Sequence, residues 1–287
     1  MHKYLYLTIS LVAVLTYSQT TINGIIKNQD NEPLAYCSVG IKDSDLGTIS
    51  DENGIYKIII PDSIHTQIVF SATGYFDQIQ NKNDLAANGN VTLEYNSIVL
   101  ETAVLSNNKM KDKIIGQKSK PMLTFSKMFD ENLPTVEQGN IFNIYRKTKL
   151  KDYNFHIIPS SKYEEITLKI NIYDVKDNLP GKLILDENII YKTTTTGWQK
   201  IDLSQYGLVF NDLNQIAVTL QLVDYKSLEN HDFVFGVSAK NSLSKNLLFR
   251  RQSQSEWEKN GGIFIASLEI AYLKQKGEKD VVQDEPE

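Results

Sequence analysis

The sequence predicts an all-β protein made of two consecutive β-sandwich domains. Apolar and polar residues alternate with a period of two over long stretches, and short strand-like runs are separated by turn residues. Helical periodicity is nearly absent. With 287 residues, 41% of them apolar and 23% charged, the chain is long enough for two ordinary domains that need no disulfide.

The C-terminal half shows the clearest alternation. In the run 166–172, four Ile or Leu side chains share one face, while Thr167, Lys169 and Asn171 share the other. Similar runs follow at 216–222, 233–237 and 264–272. We expect each to be a strand with one buried face, and such faces need a second sheet to cover them. Residues 140–274 are therefore predicted to form a sandwich.

The N-terminal half has shorter predicted strands, punctuated by Asn, Asp, Gly and Pro. These residues suit tight turns because Asn and Gly tolerate positive φ and Pro fixes its own φ. The predicted strands are 21–27, 36–41, 55–60, 67–72, 91–95 and 98–105. This spacing predicts a small sandwich over residues 20–105.

Two segments are predicted to lie outside the sandwiches. Residues 106–139 begin lysine-rich, contain Pro121 and Pro134, and have no sustained period; we interpret them as a linker that partly packs on the second domain. Residues 275–287 are highly charged and are predicted to be disordered.

Residues 1–18 are typical of a secretory signal peptide. Lys3 precedes an apolar stretch, and Thr16 and Ser18 suit the −3 and −1 positions of a cleavage site, which leaves Gln19 as the mature start. An uncleaved membrane anchor is the alternative, although the apolar stretch is short for one. We expect an exported protein, periplasmic, outer-membrane-associated or extracellular, without a transmembrane span in the mature chain.

The charge balance argues against nucleic acid as a partner. The formal net charge is −5, whereas nucleic-acid-binding domains carry a basic patch or stripe. The lysine-rich stretch 109–120 is best interpreted as a solvated charge run, with membrane or partner contact as the alternative.

Residues 21 to about 105 closely resemble the carboxypeptidase regulatory-like domain, a transthyretin-like β-sandwich. The resemblance rests on Gly24, Pro33-Leu34 with Val39, Gly47-Thr48, the run Asp51-Glu52-Asn53-Gly54-Ile55-Tyr56, and Gly74-Tyr75. It implies a non-catalytic module of Bacteroidetes-type cell envelopes, often found before TonB-dependent receptors. About 180 residues follow it, too few for a receptor barrel of roughly 22 strands with about ten residues each.

The C-terminal half resembles a jelly-roll-like domain of unknown role from the same bacterial group. The resemblance rests on short runs that include 172–174, 179–181, 185–190 and 197–203. The last run is also similar to carbohydrate-binding jelly rolls.

No motif of a catalytic, metal or cofactor site occurs, and we expect none of the three. His65, His156 and His231 lie far apart, so a zinc site would need ligands from distant strands. Cys37, the only cysteine, is expected to be a buried apolar thiol. A hydrolase with a dispersed site joining His156 or His231 to carboxylates remains an alternative.

An acidic cluster leaves a calcium site open as an alternative. Its members are Asp43, Asp45, Asp51, Glu52 and Asn53. They do not follow the EF-hand order, and a hairpin turn accounts for them equally well.

Aromatic residues are the best candidates for ligand binding. The four selected are Trp257, Trp198, Tyr191 and Tyr225. Trp257 lies in a polar stretch and is expected to be exposed. Trp198 fits the core of the sandwich better than a ligand site, and Tyr is simply favoured in strands.

The sequence therefore predicts a non-enzymatic cell-envelope protein that acts by binding a protein partner, either a scaffold or an outer-membrane protein. Exposed loops and edge strands would supply the contacts. The alternative is a carbohydrate-binding accessory protein that uses the C-terminal sandwich to hold a glycan.

Overall fold

The computed structural model describes residues 19–42, 44–64, 66–96, 109–120, 122–133, 135–242 and 246–281. The predicted signal peptide and His65 lie outside the described residues, as do the last strand predicted for the N-terminal half and the final six residues. The described chain is nearly all β, which confirms the predicted fold class. No helix within it is long and apolar enough to cross a membrane.

The N-terminal part forms two small sheets and one short helix. Its strands are β1 (Gln19–Asn28), β2 (Ser38–Ile41), β3 (Gly47–Ile49), β4 (Ile55–Pro61), β5 (Gln67–Ser71), β6 (Gln78–Asn81) and β7 (Val91–Leu93), with α1 (Lys82–Ala87) before β7. One sheet has the order β4-β1-β7 and the other β3-β2-β5-β6. Strand β4 alternates exposed and buried residues, and Ile22, Val39 and Phe70 belong to the core that it helps to form.

The remaining strands form two larger sheets. They are β8 (Lys111–Gly116), β9 (Phe125–Phe129), β10 (Glu137–Asn143), β11 (Lys147–Ile157), β12 (Glu165–Lys176), β13 (Leu179–Leu183), β14 (Ile189–Thr193), β15 (Gly197–Asp202), β16 (Val209–Asn211), β17 (Gln215–Lys226), β18 (Phe235–Lys240), β19 (Asn246–Arg250), β20 (Glu258–Gly261), β21 (Ile263–Phe264) and β22 (Ala266–Leu273). A seven-stranded sheet runs β13-β12-β17-β10-β19-β20, with β14 on β12. An eight-stranded sheet runs β21-β18-β11-β22-β8, with β15 and β16 on β11 and β9 on β18. One large apolar core takes side chains from both sheets.

The predicted linker 106–139 contains strands of the eight-stranded sheet. β8 pairs with β22 and β9 with β18, and β10 begins at Glu137 in the seven-stranded sheet. β8 and β9 are only partly buried. Peripheral strands with half-exposed faces need few apolar residues. This explains why apolar and polar residues do not alternate regularly in this part of the sequence.

The predicted tail also makes contacts in its described portion. The Lys113 Nζ atom donates to the Val281 main-chain oxygen at 2.6 Å, and the Arg146 main-chain nitrogen donates to Glu278 Oε1 at 2.7 Å. Residues up to Val281 are thus anchored against the eight-stranded sheet.

The polar face of the seven-stranded sheet is buried, contrary to the prediction that each strand has one buried face. Along β12 the residues of 166–172 are all buried, including Thr167, Lys169 and Asn171 on the polar face. The N-terminal sandwich covers this face. The predicted alternation is correct, but both faces are removed from water.

Polar contacts join the two sandwiches. Asn188 Nδ2 donates to the Ala35 main-chain oxygen at 3.1 Å, and Ser255 Oγ donates to Asp45 Oδ1 at 3.0 Å. Gln252, which is fully buried, donates through Nε2 to the main-chain oxygen of Ile41 at 3.3 Å. The two apolar cores remain separate, so the contact is largely polar.

Candidate binding site between the two sandwiches

A cavity of about 800 Å³ lies between the N-terminal sandwich and the polar face of the seven-stranded sheet. The N-terminal wall is the segment 71–77 with Ser38 and Asn96. The opposite wall combines strands β10, β12, β13 and β19 with the residues that follow β13. Because it lies where two units meet, the cavity has the position typical of a ligand site.

Lys169 places a buried amino group on the wall of this cavity. It is 4% exposed, and its Nζ atom donates to the main-chain oxygen of Tyr36 at 3.1 Å. It forms no ion pair with any described carboxylate. Burial lowers the pKa of Lys169, because the charged form loses its hydration.

The Tyr36 backbone is adapted to this contact. Its φ of 55° lies in the left-handed region, which is unusual for a bulky residue. Such conformations cost about 1–3 kcal/mol and persist where the surroundings enforce them. Here the conformation coincides with the hydrogen bond from Lys169.

Glu137, Tyr173 and Arg250 form a buried cluster beside Lys169. Arg250 Nη2 donates to Glu137 Oε1 at 2.9 Å and to the Tyr173 hydroxyl at 2.8 Å. The Tyr173 hydroxyl donates to Glu137 Oε2 at 2.9 Å, and Thr219 Oγ1 donates to the same oxygen at 3.3 Å. Burial raises the pKa of Tyr173 well above its usual value. Glu137 is therefore held as a paired carboxylate, with donors on both oxygens.

Several buried polar atoms on the cavity wall have no hydrogen-bond partner within the described chain. They are Thr73 Oγ1, Asn96 Oδ1, Arg250 Nε and Ser253 Oγ. Thr73 is only 5% exposed. Thr73 and Asn96 belong to the N-terminal wall and Arg250 and Ser253 to the opposite one, and all four atoms are shielded from solvent. Buried polar groups without partners are rare and costly.

The exposed rim of the cavity carries Phe76 together with the charged residues Asp77, Lys182 and Asp186, and it lies beside two edge strands. Phe76 is 54% exposed, and Tyr75 stacks on Tyr95 at 4.9 Å. Residues 183–185 also line the cavity, but their side chains belong to or pack against the large apolar core. Strand β13 ends the seven-stranded sheet and β6 ends the four-stranded sheet. Edge strands present main-chain groups to which a further strand can pair.

Trp257 lies next to this site but is not the exposed aromatic that the sequence predicts. It is half-buried, and the Arg250 guanidinium lies 4.4 Å from its ring centroid. The ring also meets Tyr173 edge-on at 5.7 Å. Trp257 thus covers the Glu137–Tyr173–Arg250 cluster, because a guanidinium is attracted to the face of an indole.

Trp198 is 44% exposed and does not fill the core as the sequence favours. Strand β15 alternates, and Gln199 and Ile201 face inward, so Trp198 faces solvent. Its ring contacts His156 edge-on at 5.3 Å. Gly197, with φ of 83°, precedes it and sets this register.

Tyr191 and Tyr225 lie elsewhere, so the four candidates do not form one site. Tyr191 donates to Gln199 Oε1 at 2.9 Å and packs against the large core. Tyr225 packs on Phe233 at 4.3 Å beside a smaller cavity of about 320 Å³ that also contacts the N-terminal sandwich.

The other predicted groups serve structural contacts. His156 Nδ1 lies 2.9 Å from Ser238 Oγ, and burial with the Lys120 charge lowers the pKa of His156. Burial raises the pKa of Cys37 to about 11. Asp51 Oδ1 accepts hydrogen bonds from the main-chain nitrogens of Asn53 and Ile55. These are the contacts expected if the acidic cluster forms a hairpin turn. Asp43 lies outside the described residues, within which no group of His, Cys, Asp or Glu is placed to hold a metal ion.

The cavity residues were not predicted as a site. Glu137 falls in the predicted linker and Lys169 on a face expected to meet solvent. The one available signal is Lys169 itself, a charge in the middle of a long strand among β-branched residues.

Comparison with known proteins identifies the first sandwich. Residues 22–105 match the CarboxypepD_reg-like domain, which confirms the predicted identity of this part. No curated protein shows significant sequence similarity to the chain.

Three solved structures show a weak likeness to this chain. A structure of the cysteine protease and lectin-like domains of Cwp84, a surface layer associated protein of Clostridium difficile, shares 9% identity over 56% of this chain with a TM-score of 0.38. Cwp84 after propeptide cleavage shares 9% identity over 82% of this chain, with a TM-score of 0.40. The chain spans 36% and 56% of those two structures. BcpA, the major pilin subunit of Bacillus cereus, shares 9% identity over 86% of this chain and 69% of its own, with a TM-score of 0.17. These likenesses are too weak to support an argument.

Proposed function

We propose that this chain is a non-enzymatic, exported cell-envelope protein that binds another envelope protein or scaffold through the cavity between its sandwiches. The CarboxypepD_reg-like domain at residues 22–105 forms one wall of that cavity. The observation that carries the proposal is the cavity of about 800 Å³ between the two sandwiches, whose lining includes the buried residues Lys169, Glu137 and Tyr173. We further propose that the protein is of the Bacteroidetes type and that its C-terminal sandwich is jelly-roll-like.

The chemistry of the cavity favours binding over reaction. Both oxygens of Glu137 accept hydrogen bonds from neighbouring side chains, as expected for a carboxylate with a structural role. Lys169 and Arg250 likewise donate hydrogen bonds to main-chain oxygens, those of Tyr36 and Ser253. Rigid, charged, partly unsatisfied walls suit recognition of a polar ligand.

The test is site-specific photocrosslinking in the source cells. A photoreactive residue replaces Phe76 at the cavity mouth or, as the control, Ile59 on the exposed face of β4, which is 47% exposed. We expect one envelope protein to crosslink at position 76 and not at 59. A cytosolic location of the chain, or identical crosslinks from both positions, contradicts the proposal.

A second candidate function is carbohydrate binding by the C-terminal sandwich. It is favoured by Trp198, a residue that is 44% exposed, because a flat aromatic ring can cover the apolar face of a sugar. Affinity electrophoresis against a panel of polysaccharides tests it. Retardation that disappears in Trp198→Ala supports it, and unretarded migration in every gel contradicts it.

A further inference from the structure

We propose that the loop between β8 and β9 is a membrane-contacting tip, which inserts Met122 and Leu123 into a bilayer whose anionic head groups bind Lys118 and Lys120. The inference goes beyond the proposed function, because this loop joins strands of the eight-stranded sheet, whereas the cavity lies against the seven-stranded one. Three observations carry it: the exposure of the two apolar residues, the anchoring of the loop at both ends, and its unpaired lysines.

The first observation is the exposure of Met122 and Leu123. Met122 is 97% exposed and Leu123 is 85% exposed. Every other large apolar residue in the described part of the chain is at most 54% exposed. Single, partly exposed apolar residues are normal on a protein surface, but apolar surface that is left open marks a contact with a membrane or with another protein.

The second observation is that both ends of the loop are held by the eight-stranded sheet. The main-chain nitrogen of Gln117, which is fully buried, donates to the Ala266 main-chain oxygen at 2.8 Å. Gln117 Nε2 donates to the Ser119 main-chain oxygen at 2.6 Å. Phe125 begins β9, pairs with Ala239 and packs against the large core. The apolar pair therefore lies between two anchored points, and its exposure is a property of the folded loop.

The third observation is the charge of the loop. Lys118 and Lys120 are exposed, and neither forms an ion pair with a described carboxylate. No Asp or Glu occurs between residues 118 and 128, although the whole chain has a net charge of −5. The loop is thus a local cationic surface, and each lysine near an anionic bilayer strengthens binding about fivefold.

The arrangement of these groups favours a bilayer as the partner. Lysine stems can lie along an apolar tip while their ammonium groups stay at the level of the head groups. Trp198 lies at the same end of the sheet, because its ring contacts His156 at 5.3 Å. The main-chain nitrogen of His156 donates to the Ile265 main-chain oxygen, next to the anchor at Ala266. Indole rings are favoured at the membrane–water interface.

The experiment measures co-sedimentation with vesicles. It uses residues 19–287, which retain every described residue and lack the apolar stretch 5–15, which would itself bind lipid. One set of vesicles holds equal parts of phosphatidylglycerol and phosphatidylethanolamine, and the other has phosphatidylcholine in place of phosphatidylglycerol. We expect roughly tenfold tighter binding, or more, to the anionic set, weakening as salt is added. Equal binding to both sets overturns the inference. Binding to neither also overturns it and points to a protein as the partner of this loop.

Met122→Ser combined with Leu123→Ser is the diagnostic variant. Its matched control is Ile55→Ser combined with Ile59→Ser, because these residues are 49% and 47% exposed on β4 and flank the exposed Lys57. We expect the diagnostic variant to lose roughly tenfold in affinity for the anionic vesicles and the control to bind like the wild type. Equal losses in the two variants, or no loss in the first, overturn the inference.

Lys118→Gln combined with Lys120→Gln tests the charge, and Lys276→Gln combined with Lys279→Gln is its control. The control removes the same charge from exposed lysines near Arg146, at the opposite end of the eight-stranded sheet. We expect the first variant to bind roughly tenfold more weakly, or worse, and the control to keep its affinity. Unchanged binding of the first variant, or equal losses in both, overturns the inference.

A dye that reports its surroundings separates insertion from attachment by charge alone. Met122→Cys, labelled with nitrobenzoxadiazole, should emit at shorter wavelength when anionic vesicles are added, and labelled Ile59→Cys should not. The buried thiol of Cys37 leaves the introduced cysteine as the labelled one. An unchanged emission at position 122 overturns the inference. The crosslink at Phe76 tests the cavity, so the proposed function and this inference fail separately.

Discussion

A methyl group on Gly74 would lie 2.2 Å from the main-chain oxygen of Asp186. The two backbones belong to different sandwiches, and both line the cavity between them. Gly74 is also the glycine of the Gly74-Tyr75 pair typical of the N-terminal module. In this protein that glycine allows the module to approach the second sandwich closely.

Gly74→Ala should therefore weaken the contact between the sandwiches. Gly74 has φ of 82°, so alanine is strained there and also meets the Asp186 oxygen. Gly197→Ala is the control because its φ is 83° but it has open space around it. We expect Gly197→Ala to lower the free energy of unfolding by about 1–2 kcal/mol and Gly74→Ala to lower it by more, measured by urea denaturation. Equal losses would show that the close approach is unimportant.

The Glu137–Arg250 pair should show strong coupling in a double-mutant cycle. Glu137→Leu leaves a buried guanidinium without its carboxylate, and we expect a loss of about 3–5 kcal/mol in unfolding free energy. Glu137→Leu combined with Arg250→Met removes both charges and should recover a large part of that loss. Additive effects of the two single substitutions would contradict a direct ion pair.

Lys169→Met should change how stability depends on pH. Burial lowers the pKa of Lys169 below its ordinary value of 10.5, so below that value the folded protein holds fewer protons here than the unfolded chain. The stability of the wild type should then rise relative to Lys169→Met as the pH rises from the folded-state pKa toward 10.5. Urea denaturation of both proteins measures this difference, and a falling or flat difference would contradict a buried, charge-destabilised lysine.

Cys37 should be unreactive in the native protein. Burial raises its thiol pKa to about 11, so at about pH 8 roughly one thiol in a thousand is ionised, and the thiolate is the reactive form. We expect alkylation by iodoacetamide to be undetectable in the folded protein and rapid in urea. Fast native alkylation would show that the N-terminal core opens readily.

The two tryptophans should differ in fluorescence. Trp198 is exposed and Trp257 is half-buried under Arg250. The variant Trp198→Phe retains only Trp257, and Trp257→Phe retains only Trp198. The fluorescence of Trp198→Phe should therefore lie at shorter wavelength and be quenched less by acrylamide than that of Trp257→Phe. The opposite order would favour the exposures that the sequence predicts.

Sequence periodicity predicted the strands well because each alternates apolar and polar side chains. It could not show that the polar face around Lys169 is buried, because that depends on a second sandwich packing there. The exposures of Trp198 and Trp257 are the reverse of those predicted, and the reason is similar. The exposure of Trp198 is set by the register of its strand, and that of Trp257 by its contact with Arg250. Both are tertiary effects.

The candidate site was beyond sequence reasoning for a related reason. Glu137 and Arg250 are 113 residues apart, and neither belongs to a short motif. The helix Lys82–Ala87 was also missed, since six residues with only Leu85 buried give no helical period. By contrast, the motif residues of the N-terminal module were sufficient to identify it.

The polar character of the contact between the sandwiches has a physical consequence for motion. Hydroxyl, amide and charged groups that face each other there can form hydrogen bonds to water once they are exposed. Two apolar surfaces would instead stay together, or aggregate once separated. Separation of the two sandwiches would therefore expose mainly groups that water can hydrate.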